Sequence, residues 1–220
     1  MHLIPITETP SVHVVAAPPL SSRAEAEVLH WRREITANGS YDGPKLLALA
    51  ASKEELVVYR ATYSARLAHR ALADKDGTSP FGLGSLGCWL LLRRPDGTIL
   101  LAKRTDKMVI SPGLWAGSVS CGVNPGETPD EAIRREMQEE LSLSLSEISG
   151  LRPVAVCIGP DPVGCCVLFT GLLRDEAGLS PNPDEVSELC FAQADNLPTP
   201  TTPDLANLIA VCNRAENGRP

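Results

Sequence analysis

The alternation of hydrophobic and polar residues over the first eighty positions predicts a small region of strands and helices. Ser22 and Glu25 have the spacing of a helix capping box, and apolar residues recur after them at helical spacing until Asn38-Gly39 ends the pattern. Apolar runs without that spacing predict strands. The predicted elements are a strand at 12–16, a helix beginning at 22, strands at 45–50 and 55–59, and a helix at 64–73.

Residues 74–87 form a predicted linker, because the turn-forming pairs Asp76-Gly77 and Ser79-Pro80 occur there with three further glycines. This composition predicts a boundary near residue 80. We therefore expect an N-terminal αβ extension, residues 1–80, and a second domain, residues 81–220.

The second domain has more predicted strands than helices, and the two alternate along the chain. Two apolar runs joined by Pro95-Asp96-Gly97 have the pattern of a hairpin. The predicted elements are strands at 88–93, 98–104 and 116–123, a helix at 129–141, strands at 153–158, 164–172 and 187–192, and a helix at 203–213. This order predicts an α/β fold in which helices pack against a mixed β-sheet.

Composition and charge narrow the classes of function. The net charge of −7 argues against nucleic acid as a partner, because binding to its backbone requires clustered cations. We expect no membrane segment, since no apolar run reaches the length of a span and no signal peptide is evident, and we interpret the chain as cytoplasmic. The seven cysteines contain no CxxC pair, which favours buried reduced thiols over a zinc site or disulfides.

The segment GETPDEAIRREMQEEL, residues 126–141, gathers acidic side chains on one face of a predicted helix. Glu136, Glu139 and Glu140 stand at positions i, i+3 and i+4, where like charges repel unless a cation lies among them. The apolar residues form a separate stripe at Ile133, Met137 and Leu141. Such a helix can pack on a sheet while it holds its acids in a cleft.

The alternative is that these acids are only the solvated face of an amphipathic helix. Neighbouring residues argue against it: Gly126 lies in a turn before the helix, Thr128 with Glu131 forms a capping pair, and Arg135 stands next to Glu136. The combination is more specific than a charged helix face.

This segment resembles the Nudix box, whose pattern is G-x5-E-x7-R-E-U-x-E-E-x-G-U with U a bulky aliphatic residue. Glu127 and the run from Arg135 to Glu140 match, whereas Cys121 and Ser142 stand where the pattern has glycine. The resemblance covers residues 86–215 and implies the Nudix α/β/α sandwich, here with an N-terminal αβ extension. It also implies a hydrolase that cleaves the diphosphate bond of a nucleoside diphosphate linked to another moiety.

The resemblance implies Mg²⁺ or Mn²⁺ as cofactor, because such ions neutralise a diphosphate and activate water. The implied ligands are Glu136 and Glu140, with Glu139 as a further ligand or the residue that activates water. The carbonyl oxygen of Gly126 is another implied ligand.

Apart from Glu136, Glu139 and Glu140, the resemblance implies that Glu127 and Arg135 shape the site and neutralise its charge. Family members use a further carboxylate from a late loop as ligand or general base. Glu185 and Glu188 are the candidates, and a simple acidic surface turn is the alternative for each.

Two residues are candidates for substrate binding. Arg104 is the last residue of a predicted strand and could contact phosphate, or it could be solvated. Trp115 could stack on a base or sugar, or it could be structural.

The identity of the substrate depends on loops outside the box. The extension, with its segment from Tyr59 to Tyr63, more faintly resembles UDP-glucose pyrophosphatases, which release UMP and glucose 1-phosphate. Other nucleotides, such as (d)NTPs and ADP-ribose, are alternatives, and the long coenzyme A signature is absent.

Two other functions remain open. Isopentenyl diphosphate isomerases share the fold and use a cysteine near the motif; Cys121 invites the comparison, but Ser120 occupies that position and the nearby histidine is absent. A non-catalytic binding module would be expected to lose box acids, which are all present. The extension could also mediate a homodimer.

Overall fold

The computed structural model describes residues 1–73, 79–108, 110–159, 164–174 and 178–216, and its strands form one mixed sheet. The strands are β1 (His2–Pro5), β2 (Ser11–Val15), β3 (Pro44–Ala51), β4 (Glu55–Thr62), β5 (Gly84–Arg93), β6 (Ile99–Arg104), β7 (Trp115–Ala116), β8 (Val119–Gly122), β9 (Ile148–Gly159), β10 (Gly164–Leu173) and β11 (Val186–Ala192). The helices are α1 (Ser22–Ala37), α2 (Tyr63–Leu72), α3 (Pro129–Leu141) and α4 (Leu205–Glu216).

The main path through the sheet runs β1-β9-β10-β5-β3-β4-β2. Strands β6, β7, β8 and β11 branch from it: β8 and β6 both pair with β5, and β6 also pairs with β7 and β11. The pairs β10–β5 and β2–β4 are parallel and the other pairs are antiparallel. The predicted mixed sheet is therefore confirmed.

Helices cover both faces of the sheet around the central strand β5. Leu90 and Leu92 face a core that contains Ile133 and Met137 of α3, whereas Leu91 faces a second core formed with α4. The alternation follows from the two-residue period of a strand, which sends successive side chains to opposite faces. This layering is the expected α/β/α sandwich.

The extension continues the same sheet. Strand β1 pairs with β9, and β3 pairs with β5 through Leu47 opposite Ser85 and Ala48 opposite Gly84. Helices α1 and α2 pack on β3 and β4 around a third core that includes Phe81 and Tyr59. Backbone hydrogen bonds thus cross the predicted boundary near residue 80, which stays a prediction.

The predicted linker is wrong at its end, because β5 begins at Gly84. The glycines there permit close contact between neighbouring backbones and side chains rather than a loop. A Cβ atom at Gly84 would lie 2.9 Å from His69 Nε2, and one at Gly87 would lie 2.7 Å from the carbonyl oxygen of Cys121. The Asp76-Gly77 pair lies outside the described residues.

The predicted strand at 116–123 is also wrong, since it is divided into β7 and β8. Ser118 lies between them, and its hydroxyl accepts from Leu92 N at 2.8 Å and donates to Leu100 O at 2.6 Å. This side chain takes the place of ladder hydrogen bonds, so the strand is interrupted without leaving buried backbone groups unpaired.

The ends of two helices show how capping sets their boundaries. Helix α3 has the predicted bounds, with Thr128 and Glu131 forming the capping box and Ser142 in the left-handed region at φ 58°. In α1 the cap is Ser21 rather than the predicted Ser22, because the Ser21 hydroxyl accepts from Ala24 N at 3.3 Å. Among the described residues, no helix is both long and apolar enough to cross a membrane.

The fold predicts that Ile133→Ala lowers the free energy of unfolding by about 2–5 kcal/mol, because Ile133 is fully buried between α3 and the sheet and its loss leaves a cavity. Urea denaturation measures the change. Gln138→Ala, on the exposed side of the same helix, is the matched control and should change stability by less than about 0.5 kcal/mol. Equal effects of the two substitutions would contradict the assigned core face.

Candidate active site

Arg135 of α3 organises three of the acidic residues. Its Nε and Nη2 atoms donate to the two carboxylate oxygens of Glu127 at 2.7 and 3.0 Å. Its Nη1 donates to Glu136 Oε1 at 2.7 Å and to Glu139 Oε2 at 3.0 Å. This hydrogen-bonding lowers the pKa of the Glu127 carboxyl. One planar guanidinium therefore fixes the preceding turn to the helix and neutralises part of its acidic face.

The turn before α3 is formed by residues 124–127. Gly126 adopts φ 101°, a conformation that favours glycine, and Glu127 N donates to Asn124 O at 3.0 Å. Glu127 Oε2 accepts from Asn124 N at 3.0 Å, so its carboxylate is bound from both the turn and the helix. These hydrogen bonds support a structural role for Glu127. Gly126, by contrast, is exposed to solvent.

Glu140 is the most deeply buried acid of the site, with 5% of its surface exposed. Burial is the largest cause that raises the pKa of its carboxyl, and with the charges of Glu136 and Glu185 the pKa reaches about 8. Arg104 and the backbone N–H of Ser120 oppose that shift. Its carboxylate is therefore costly to ionise in the metal-free protein.

Glu136 is in a similar position. Burial raises the pKa of its carboxyl, the hydrogen bond and charge of Arg135 oppose the shift, and Glu139 and Glu185 add repulsion. Glu136, Glu140 and Glu185 thus act on one another electrostatically, although Glu185 comes from a part of the chain remote from α3. Glu139 is different, because its side chain is 54% exposed.

The two late-loop candidates occupy different environments. Glu185 repels Glu136 and Glu140, and its backbone is anchored because Thr105 N donates to Glu185 O at 2.9 Å. Glu188 is exposed on β11 and pairs with Lys103 at 3.6 Å. The structure brings Glu185 to the α3 acids and leaves Glu188 on the surface strand.

A cleft of about 170 Å³ adjoins the α3 carboxylates. Arg104 and Ser120 connect the cleft with the α3 carboxylates. Arg104 Nη1 donates to Ser120 Oγ at 3.1 Å, and the backbone N–H of Ser120 donates to the Glu140 carboxylate. Arg104 Nε also donates to Ile110 O at 2.8 Å, which holds the guanidinium at the cleft wall. Arg104 is therefore part of the cleft wall, and its role in substrate binding stays a prediction.

The structure does not place Trp115 in this cleft wall. Its side chain is 5% exposed and packs in the core below α4, with Lys103 Nζ 5.7 Å from the ring centroid. Trp89 of β5 lines the cleft instead. Both tryptophans pack against the same core under α4, so the difference between them comes from their positions on separate strands, which the sequence pattern did not specify.

Lys45 and Arg66 also line the cleft, and the sequence interpretation missed both. Lys45 is on β3 and Arg66 is on α2, so both come from the extension. One feature of the sequence could have identified them, because each of these cations stands next to apolar residues. These neighbours, Leu46, Ala65 and Leu67, are buried in the structure.

Most of the cysteines are buried, as the sequence predicted. Five of the seven have buried side chains, and Cys121 and Cys190 are partly exposed. Cys88 is paired across the sheet with Cys121, and burial raises the pKa of its thiol. Both Ser120 and Cys121 contribute to the cleft lining.

Comparison with known proteins identifies the family to which this site belongs. The family model described as the NUDIX domain matches residues 85–212. The chain belongs to the Nudix family. The matched region contains α3 and its acids, so the predicted resemblance is confirmed. The departures at Cys121 and Ser142 do not disturb the helix, since Ser142 takes the left-handed conformation that the pattern's glycine allows.

Individual relatives match over shorter segments. An isopentenyl-diphosphate Delta-isomerase from Brevibacterium linens is 31% identical over 106 residues, 46% of this chain and 57% of that protein. The nucleoside triphosphatase NudI from Escherichia coli is 50% identical over 56 residues, 24% of this chain and 39% of that protein. The chain thus spans only part of the length of these relatives.

A solved structure shows the same fold over a longer region. DR0079 from Deinococcus radiodurans superposes with a TM-score of 0.58 at 24% identity, covering 77% of this chain and all of that one. The similarity in fold therefore extends beyond the residues that the Nudix family model matches.

Nudix hydrolases generally use divalent metal ions, and the acids of this chain fit such an ion by their chemistry. No three His, Cys, Asp or Glu side chains within the described ranges already converge as a metal-binding group. Mg²⁺ requires only one or two carboxylates, because it retains waters and takes substrate phosphate oxygens. The mutually repelling carboxylates of the partly buried Glu136 and the buried Glu140 would supply the hard oxygen donors, and a cation would relieve their repulsion.

The raised pKa of Glu140 predicts a pH-dependent stability for the metal-free protein. Between the unfolded value of about 4.3 and the folded value of about 8, the folded state holds a proton that the unfolded state has lost. The free energy of unfolding therefore falls as the pH rises through this window. We expect Glu140→Gln to be more stable than the wild type above about pH 8, with the difference disappearing near about pH 4.

Urea denaturation in EDTA across that pH range measures the effect. Glu25→Gln, on the exposed face of α1, is the control and should leave the pH profile unchanged. A Glu140→Gln profile parallel to that of the wild type would show that Glu140 is not the titrating group.

Proposed function

We propose that this Nudix protein is a hydrolase that uses Mg²⁺ or Mn²⁺ to cleave the diphosphate bond of a nucleoside diphosphate linked to another moiety. The observation that carries the proposal is the pair formed by the partly buried Glu136 and the buried Glu140. Glu185 repels both carboxylates, and the pair lies next to a cleft that contains Arg104. A fold gains nothing from burying like charges without a partner, so this arrangement is typical of a functional site.

The roles of the acids follow from their environments. Glu136 and Glu140 would hold the metal ion, and the exposed Glu139 would complete the ligand set or accept a proton from water. The ion supplies charge neutralisation and activation of water when bound. The carbonyl oxygen of Gly126 is available in the turn that precedes them. Glu127 and Arg135 would keep this geometry in place through their two-point ion pair.

Glu185 is the better candidate for the general base. It approaches the α3 acids from the loop before β11, and its anchored backbone would limit its motion. Arg104 is the candidate for contact with a substrate phosphoryl group, because it is fixed at the wall between the acids and the cleft. Its positive charge would offset that of the diphosphate.

Within this function, we favour a UDP-sugar such as UDP-glucose, which would give UMP and a sugar 1-phosphate. The support is the resemblance of the αβ extension to that of UDP-glucose pyrophosphatases. Tyr59, in the segment that carries the resemblance, is buried, and its hydroxyl donates to Phe81 O at 3.1 Å. The segment thus supports the extension whose side chains line the cleft.

A second candidate is isomerisation of isopentenyl diphosphate. It is favoured by the sequence similarity to the Brevibacterium linens isomerase and by the positions of Ser120 and Cys121 in the cleft lining. A hydroxyl at position 120 lacks the nucleophilic thiolate that a cysteine can supply, and it is engaged with Arg104. Hydrolysis is therefore the primary proposal.

The proposed function predicts release of phosphate-containing products from one group of nucleotides. A coupled phosphatase assay would test UDP-, GDP- and ADP-sugars, (d)NTPs, dinucleoside polyphosphates and coenzyme A with Mg²⁺, Mn²⁺ or EDTA. We expect cleavage of a UDP-sugar with either metal and none in EDTA. Isopentenyl diphosphate with dimethylallyl diphosphate as the product standard tests the second candidate.

The Glu139→Gln variant, prepared in the same way, controls for contaminating phosphatases in that assay. Turnover that survives both EDTA and this substitution would have to come from another protein. A folded wild type that converts none of the nucleotides would contradict the hydrolase proposal.

The positions of Glu185 and Glu188 predict a difference between two neighbouring substitutions. Glu185→Gln should reduce kcat by a factor of about 10²–10⁴, since it removes a proton acceptor near the α3 acids. Glu188→Gln removes only a surface ion pair with Lys103 and should retain activity close to that of the wild type. Steady-state kinetics on the best substrate compares them, and an equal loss in both would exclude Glu185 as the specific base.

A further inference from the structure

Three cations meet in the cleft next to the proposed hydrolytic site. Lys45 and Arg66 come from the extension, and Arg104 comes from the Nudix domain. Burial is the largest cause that lowers the pKa of Lys45 and of Arg104, and repulsion by the charge of Arg66 lowers both further. Arg66 therefore lies within electrostatic reach of both, and the three form one cationic cluster.

The backbone around Lys45 makes room for a ligand. Gly87 and Gly122 are paired across β5 and β8, and both line the cleft. A Cβ atom at Gly122 would lie 3.8 Å from Lys45 Nζ. The ammonium group is thus held over a part of the sheet that presents backbone rather than side chains.

Protein groups do not neutralise the two cations of the extension. Among the described residues, neither Lys45 nor Arg66 has a carboxylate within 4.0 Å, and the contact of Arg66 is with the Tyr63 ring at 5.8 Å. Asp204 also lines the cleft, and burial raises the pKa of its carboxyl. In the part of the chain that the structure describes, no Lys or Arg nitrogen lies within 4.0 Å of it. Asp204 is therefore not their counter-ion.

A partly buried cation without a counter-ion is unfavourable unless something else supplies negative charge. Burial is the largest cause that lowers the pKa of Lys45, and the charge of Glu136 opposes it only in part. The whole chain has a net charge of −7, so the local positive charge of three cations in one small cleft contrasts with the negative charge of the protein as a whole. This arrangement is suited to binding an anion from outside the protein.

We propose that Lys45 and Arg66 bind a phosphoryl group of the substrate, so that the extension forms part of the active site and contributes to its specificity for diphosphates. The inference rests on the proposed diphosphate chemistry. Lys45 lies near Glu136, and Arg104 lies near Glu140 and Glu185, so the cluster flanks the acids that would hold the metal. The metal and the cations would then act on different oxygens of one diphosphate.

Phosphate suits this cluster better than a single carboxylate does. A phosphoryl group offers three acceptor oxygens and, in a diphosphate, more than one negative charge. Arg66 can donate two parallel hydrogen bonds, while Lys45 provides a compact charge. The apolar walls at Trp89 and Leu208 provide no competing donors for it beyond the indole N–H.

Binding of inorganic pyrophosphate in EDTA at low ionic strength tests the proposal without requiring turnover. Isothermal titration calorimetry would compare the wild type with Lys45→Gln and Arg66→Gln, and with Lys45→Arg, which keeps the charge. We expect each glutamine variant to raise the Kd by about ten-fold or more, and Lys45→Arg to retain most of the affinity.

Arg60→Gln is the matched control, because Arg60 is an exposed arginine on β4 of the same extension and lies outside the cleft. It should leave the Kd within about two-fold of the wild type at the same salt concentration. Circular dichroism and thermal melting establish that each variant is folded. If Lys45→Gln does not fold, Arg66→Gln decides the test, since Arg66 is partly exposed at the start of α2.

The outcomes separate this inference from the proposed function. Undiminished pyrophosphate binding by both folded glutamine variants, or no binding by the wild type, would overturn the inference even if UDP-sugars are hydrolysed. Binding that depends on Lys45 and Arg66 would support the inference even if no tested nucleotide is cleaved. For an active substrate, we expect Arg66→Gln to raise KM by about ten-fold and to change kcat less.

Discussion

Two neighbouring carboxylates on one helix are withdrawn from solvent, Glu140 almost completely and Glu136 in part, and the structure around them reduces the free-energy cost of that burial. Glu136 and Glu140 are one turn apart on α3, so their side chains lie on the same face. Arg135 neutralises Glu136 from the same helix, whereas Arg104 and the Ser120 backbone stabilise Glu140 from the sheet. The surrounding cations thus limit the repulsion without abolishing it, which leaves the capacity to bind a divalent ion.

The opposite face of the same helix explains how these acids are held in place. Ile133, Met137 and Leu141 have no exposed surface and fix α3 against the sheet. Burial of the apolar residues stabilises the packing of α3 on the sheet, while the acids provide the chemistry. Because both sets of side chains belong to one helix, a shift of the helix that moved the apolar residues would also move the acids. Glu127 extends this coupling to the preceding turn, since Arg135 holds it by two hydrogen bonds.

Local signals in the sequence predicted much of this region. The bounds of α3 were predictable because Thr128, Pro129 and Glu131 define its start within four consecutive residues. Strand β1 was missed, since His2–Pro5 becomes a strand only through its pairing with β9. Lys45 and Arg66 were missed for a related reason: their proximity to the α3 acids arises from the pairing of β3 with β5, which depends on contacts between distant residues.

The pairing of β3 with β5 has a consequence for the solution behaviour of the Nudix domain. Leu47 and Ala48 of β3 pair with Ser85 and Gly84, at the start of the central strand β5. A chain that began after the extension would present this part of β5 as an open edge, with unpaired N–H and C=O groups close to a highly apolar run. Such edges template strand addition between molecules, so we expect the pairing with β3 to protect β5 against aggregation.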